Sequence, residues 1–435
     1  MANTERGGSN PPLPPSSFGV SWPWPLTKTD IPPRHSTGRT NGVWPLLNWV
    51  ALSVVLIGTV LAYLGFQRVI TPPPLVQTLE TPIKTVATGA PVGATETNSI
   101  GQQRVVRTSN GYLLSLFGSS AGLSVVSDLG DHGRSWRAPV TLPAIEASSL
   151  SATIDGRDRI HLAFVNDEGP AFAILSRDAG GWRSSNIVQL DAGTSPIVDV
   201  AWDEQRQLAH VVWVGEGDGD QVVRWASLGS DTLAQVSDTK DLAVVPSGTA
   251  LANVAADGNG HVIVTYRKGE AAGWYSRLFY DDTSGWQPEE ALPTKIDARA
   301  GSVALDPRGV AHVVLIDQDG KEMTYLKRSH KGWIAPQVVI PQGTTEEMDD
   351  PFLATDAASR LLYTFFSTTG TAEAVRMVVR DPATGWEDPY RVSLEDNSTE
   401  GYAPTSLDPL TGTPLVLWTS VGADPSIRSG NIVLP

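Results

Sequence analysis

From residue 101 onward the chain repeats itself, and no other feature constrains its fold as tightly. A short strand ends at an acid, a turn follows, and a second strand opens, often at a histidine. The stretches are "TSNGYLLSLF" (108–117), "TIDGRDRIHLAFV" (153–165), "VAWDEQRQLAHVVWV" (200–214), "VAADGNGHVIVTY" (254–266), "VALDPRGVAHVVLI" (303–316), "ATDAASRLLYTFF" (354–366) and "SLDPLTGTPLVLW" (406–418). The acids Asp155, Asp203, Asp257, Asp306, Asp356 and Asp408 recur roughly every 50 residues. A third strand follows each hairpin, as in "MTYLKRS" and "EAVRMVVR". Then come a Gly-rich turn, a Trp and a fourth strand, as in "WIAPQVVIP". Four strands of about 5–7 residues with their turns fill such a unit, which is the size of one propeller blade. The 41 Gly and 32 Pro supply the turns. The strands alternate or run apolar, and no stretch after residue 101 carries a helical period.

The expected fold is therefore all-β, a β-propeller of four-stranded antiparallel blades over residues 101–435. Six units are complete, and a seventh begins at residue 403 with about three strands before Pro435. The segment "TPIKTVATG" near residue 85 can supply the missing strand and close a seven-bladed ring. Six blades with an irregular end is the alternative.

The N-terminal hundred residues are of another kind. Residues 1–42 are rich in Pro and Ser, without apolar periodicity, and read as a disordered cytoplasmic tail. The "PPLPP" run also suits a polyproline ligand. Residues 43–68 contain Leu46 to Phe66, 21 residues without a charge. As a helix they span about 30 Å, the hydrocarbon thickness of a bilayer. Trp44, Trp49 and Tyr63 lie near the ends of the run, where interfacial aromatics sit. The run is too long and too far from the N-terminus for a cleaved signal peptide, and no small-residue cleavage site follows it. It reads as a signal-anchor, a single-pass transmembrane helix. Lys28, Arg34 and Arg39 precede it and Arg68 alone follows closely, which places the N-terminus in the cytoplasm. Residues 69–100 form a Pro/Thr-rich linker, part of it a possible closing strand.

The turn between third and fourth strands resembles the Asp-box, Ser-x-Asp-x-Gly-x-x-Trp, of sialidase-like (BNR repeat) propellers. "LGDHGRSW" matches at Asp131, Gly133 and Trp136. "SRDAGGW" matches at Ser176, Asp178, Gly180 and Trp182, one residue short. "YDDTSGW", "SHKGW" and "RDPATGW" keep the Gly-Trp pair. The resemblance implies that fold, and with the apolar span the expectation is a membrane-anchored, noncatalytic, bacterial-type member of it. Within the box the Asp accepts turn N–H groups, the Gly takes a positive φ, and the Trp packs between strands or on the next blade. Trp136, Trp182, Trp286, Trp333 and Trp386 are therefore expected to be structural. His161, His210, His261 and His312 occupy one repeat position in four different units, which suits local hydrogen bonding rather than a shared metal.

Resemblance to sialidases also implies an arginine trio for a substrate carboxylate, a Tyr nucleophile with its Glu, and an Asp acid/base. The Arg-Ile-Pro motif is absent; "RVVRTSN" supplies Arg104 and Arg107 without it. Arg299, Glu400 and Tyr402 are the runner-up catalytic candidates. A degenerate glycoside hydrolase requires these three to converge at the central funnel.

The loops on the face opposite the Asp-box turns are acidic. They contribute Asp167, Glu168, Glu216, Asp218, Asp220, Asp317, Asp319, Glu346, Glu347, Asp349 and Asp350. These are the candidate binding residues. Glu216, Asp218 and Asp220 are weak candidates for Ca2+, since alternating acids with Gly resemble calcium loops loosely; no other cofactor is implied. A net charge of −15 excludes nonspecific nucleic-acid binding. The absence of Cys excludes disulfides, thiolate zinc sites and a Cys nucleophile. The expected function is protein or glycan recognition at the cell envelope, by an extracytoplasmic propeller on a single span. A structural subunit of a membrane complex is the other alternative.

Overall fold

The computed structural model describes residues 78–79, 84–88 and 103–433, apart from 120, 132, 134, 194, 196, 230–238, 247–250, 269–272, 281–284, 330, 343–345, 357–360, 370–373, 394–398, 408–413 and 421–425. The expected cytoplasmic tail, the expected membrane helix and most of the linker lie outside the described residues. Among the described residues no helix is long and apolar enough to cross a membrane.

The described strands form seven small antiparallel sheets. Six are each built from one continuous stretch of chain. Their innermost strands are Val105–Arg107, Ser149–Ile154, Val198–Asp203, Ala252–Ala256, Ala298–Leu305 and Glu347–Thr355. The seventh draws on both ends of the chain. Thr399–Leu407, Pro414–Ser420 and Ser426–Val433 are joined there by Lys84–Thr88 and Thr78–Leu79, both paired to Ser426–Val433. Lys84 lies opposite Ser429, and Thr88 opposite Ser426. The innermost strand of each sheet packs on that of the next, and Thr399–Leu407 packs on Val105–Arg107, so the series returns to its start. The "TPIKTVA" segment thus takes the closing role expected of it. The six sheets made of consecutive chain match the six-blade alternative, and the N-terminal strands complete a further sheet with the C-terminal ones.

The sequence pattern follows from this packing. A second strand lies between two neighbouring sheets and is covered on both faces, so it runs apolar without alternation. Ile160–Asn166 and Ala311–Asp317 are buried along almost their whole length. Outermost strands have one face in water, and Val140, Val244 and Val338 on them are exposed.

The Trp turns anchor their sheets to a neighbour. Gly181, Gly285, Gly332 and Gly385 all take positive φ, between 95° and 132°, as the turn requires of a residue without Cβ. The Trp then reaches the preceding sheet, where packing between strands or on the next blade was expected. Trp136 Nε1 donates to Ser429 Oγ at 3.0 Å and Trp333 Nε1 to Ser276 Oγ at 3.3 Å. Trp286 meets Trp225 edge-on at 5.2 Å, and Trp386 meets Tyr325 likewise at 5.2 Å. Repetition alone carries no direction around a ring, which is why the sequence misassigns the neighbour.

The acids of the boxes act locally. Asp131 accepts from Ser135 N at 2.9 Å, and Asp178 from Gly180 N at 2.7 Å. Asp128, not anticipated, is buried and accepts from Leu113 N and Gly133 N. In two units the recurrent Asp and His are hydrogen-bonded to each other: His161 with Asp155 at 3.0 Å, and His261 with Asp257 at 2.6 Å. His312 contacts Tyr325 Oη at 2.7 Å. Burial pushes His161, His210 and His312 below the ordinary imidazole range despite these acids, His312 to about 4.

Candidate functional site

The first turn of each unit consumes its acid. Asp155 accepts from Arg157 N and Arg159 N, and Asp306 from Arg308 N and Val310 N. Burial opposes ionisation of both carboxyls, but hydrogen bonds from the turn and from His161 to Asp155, and from the turn and Arg308 to Asp306, outweigh it and hold them below the usual range. Groups not used in these turns lie along the axis and on the face where the innermost strands begin.

Four residues before the recurrent Asp, the innermost strands carry Ser151, Asp199, Asn253 and Ser302. Three of these stitch neighbouring sheets together. Ser151 Oγ donates to Asp199 Oδ1 at 2.7 Å, and Val254 N donates to Asp199 Oδ2 at 2.9 Å. Ser302 Oγ accepts from Leu353 N at 3.1 Å. Asp199 is buried, and its desolvation outweighs three hydrogen bonds, lifting it to about 7. It lines an axial cavity of about 310 Å³, otherwise walled mainly by small apolar residues such as Ala201, Ala255 and Ala304. Sequence reasoning missed Asp199; its signal is the fixed offset from Asp203.

Near the start of the innermost strands lies a charged cluster. The pairing of Glu347–Thr355 with its neighbour shifts register between Asp349 and Phe352. Within the shift, Asp350 takes a left-handed φ of 48° and is buried. Burial, then the charge of Asp349, push its carboxyl up to about 7, against Arg299 and Arg104. Bulges and strained non-Gly residues concentrate near functional sites. Arg299 Nη2 donates to Met348 O at 2.8 Å and pairs with Asp349 at 3.3 Å.

Of the catalytic candidates, Arg299 is thus tied to the sixth sheet. Glu400 and Tyr402 begin the innermost strand of the seventh; their side chains lie outside the described residues. The eleven acidic candidates divide by role. Asp317 caps its own turn, accepting from Lys321 N and Glu322 N. Glu346 pairs with Arg376 at 2.7 Å, Asp349 with Arg299, and Asp350 is buried. Asp167, Glu168, Glu216, Asp218, Asp220, Asp319 and Glu347 are exposed. The turn holding Glu216, Asp218 and Asp220 is closed by Gly217 N donating to Asp220 O at 2.8 Å. Among the described residues no three acids or histidines are grouped to hold a metal.

These sheets, arranged as a closed ring around an axial cavity, define a β-propeller. No family model matches the chain. No curated protein matches it either. Solved structures do. An ulvan lyase of a new polysaccharide lyase family, bound to -[GlcA(1-4)Rha3S]-, superposes with a TM-score of 0.56 at 13% identity, over 81% of this chain and 95% of that one. The polysaccharide lyase Uly1 gives 0.47 at 10% identity, over 78% and 91%. The first of these likenesses establishes a shared fold; activity is a property of sites and not of folds.

Proposed function

We propose that this chain is a membrane-tethered, extracytoplasmic recognition module. It is a noncatalytic relative of the sialidase-like Asp-box propellers that binds a protein or glycan at the cell envelope through its acidic face. The observation that carries this reading is the division of labour among the acids. On the turn between first and second strands they cap the backbone and pair with His and Arg. On the opposite face seven are exposed. The hydrolase alternative is weakened because Arg299 spends its guanidinium on Asp349 and the Met348 carbonyl instead of pointing free for a substrate carboxylate.

The test is the full-length chain, in lipid nanodiscs, on a glycan array and on an array of basic and acidic peptides. Binding to neutral or cationic glycans, or to basic peptides, is expected, and should weaken with salt. Sulfated uronic-acid glycans, of the kind bound to the ulvan lyase, should be rejected by this face. Silence on both arrays, or release of sugar from the glycans, overturns the reading.

A further inference from the structure

Asp199 is a buried carboxyl without a counter-charge. It is 3% exposed, and among the described residues no Lys, Arg or His pairs with it. Its Oδ1 accepts from Ser151 Oγ at 2.7 Å and from Val200 N at 2.9 Å, and its Oδ2 from Val254 N at 2.9 Å. A carboxylate has about four acceptor sites, so one on Oδ2 is unfilled. Val254 lies on a strand paired only with the strand outside it. Its N–H, and the carboxyl it meets, are therefore on the edge that faces the axis. An ionised carboxyl buried there alone is costly, and its rise to about 7 reflects that cost. The strands packed on its own carry His161, His210 and Glu216, and its own strand ends at Asp203; none of these lines the axial cavity. That cavity, of about 310 Å³, has apolar walls at Val254, Ala255, Ala304 and Phe352. The half-buried Thr153, Ala256 and Thr355 lie where the innermost strands run into their turns. Among the described lining residues Asp199 is the only charged one. A metal ion needs several oxygen donors around it, and no such group is assembled among the described residues. One carboxylate beside a roomy apolar wall instead matches an ammonium group on a carbon chain.

We propose that the axial cavity binds a small primary alkylammonium, its nitrogen on Asp199 Oδ2 and its carbon chain along the wall of Val254, Ala255 and Ala304. The ligand brings the missing positive charge, so the bound pair is neutral. Where Asp199 is protonated beforehand, binding releases that proton to water. The site is separate from the acidic face and does not depend on it.

The experiment titrates n-butylammonium into the full-length chain in nanodiscs, by calorimetry, between pH 5 and pH 8. The comparison probes are 1-butanol, butyrate and Nα-acetyl-lysinamide. At pH 8 butylammonium should bind at least about tenfold more tightly than butanol or butyrate. Below pH 7 its affinity should fall by up to about tenfold per pH unit, as the proton on Asp199 competes. Exposed carboxylates stay ionised over this range, so binding to the acidic face would be nearly flat with pH. Asp199→Asn should weaken binding at least about tenfold and remove its pH dependence. Ala256→Phe, at the half-buried end of the cavity, should block entry. Thermal melts check that both variants fold, and the parent's pH profile and Ala256→Phe carry the test if Asp199→Asn does not. No binding at pH 8, or a flat affinity that neither variant changes, overturns the inference and leaves the acidic face untouched. Equal binding of butanol overturns the ammonium. Tighter binding of Nα-acetyl-lysinamide overturns a free amine as the occupant.

Discussion

Asp199 and Asp350 are the residues at which this fold carries protons into its interior. Both carboxyls are raised from the unfolded value of 3.8 to about 7. Between those values the folded state holds a proton that the unfolded state has lost. Each group thus reduces stability as pH rises from about 4 to about 7, by about 1.4 kcal/mol per pH unit, and adds nothing further above that. The lowered histidines act in the opposite sense: they stay neutral in the fold while the unfolded chain protonates as pH falls below about 6.5. The difference between variant and parent isolates the carboxyl. Asp199→Asn should flatten the pH dependence, its stability relative to the parent rising from pH 5 to pH 8 in urea titrations. A constant difference across that range would show that Asp199 titrates normally. At Asp350 the backbone adds strain, so Asp350→Gly should stabilise the protein at pH 8 by about 1 kcal/mol, measured the same way. Asp199 was not legible as special in the sequence, and Asp350 was legible only as one acid of the acidic face. Asp199 sits in "PIVDVAW", which reads as an ordinary strand, and the register shift at Asp350 depends on pairing across the sheet.

At the scale of the element, the Gly-Trp turn was the most legible feature. Its chemistry needs only Gly for the φ and Trp for the area, and both survive in "SHKGW", where the box Asp is gone. Gly332 has a φ of 107° and no atom near the position a Cβ would take. Gly332→Ala therefore tests backbone strain alone and should cost about 1–2 kcal/mol. Trp333→Phe keeps most of the apolar contact and removes the bond to Ser276 Oγ, which should cost about 1 kcal/mol. Thermal melts of the two variants check both values. A loss beyond about 3 kcal/mol in Trp333→Phe would mean that packing, not the hydrogen bond, dominates at this turn. What the sequence withheld was the partner, because the Trp grips the sheet behind it through residues more than a whole unit away.

The whole molecule depends on closure by both ends of the chain. Val86, the described core residue of Lys84–Thr88, is 4% exposed and packs with Leu415, Leu417 and Ile427. Val86→Asp buries an unpaired carboxylate there. It should raise hydrogen exchange across Ser426–Val433 well before the other sheets respond. Uniform exchange throughout would argue against a locally closed seventh sheet. The propeller, its repeat and its closing strand could be read from spacing, since each depends on local turns and on blade length. The sorting of acids into structural and exposed sets could not, since it depends on which backbone N–H groups the fold brings near.

One binding measurement tests that sorting. Full-length parent and a variant carrying amides at Asp167, Glu168, Asp218, Asp220, Asp319 and Glu347 are titrated in nanodiscs against isolated cell-envelope fractions at rising salt. The parent should bind, lose affinity with salt, and exceed the variant at least about tenfold at low salt. Equal binding by the two, at every salt concentration, would contradict recognition through the acidic face.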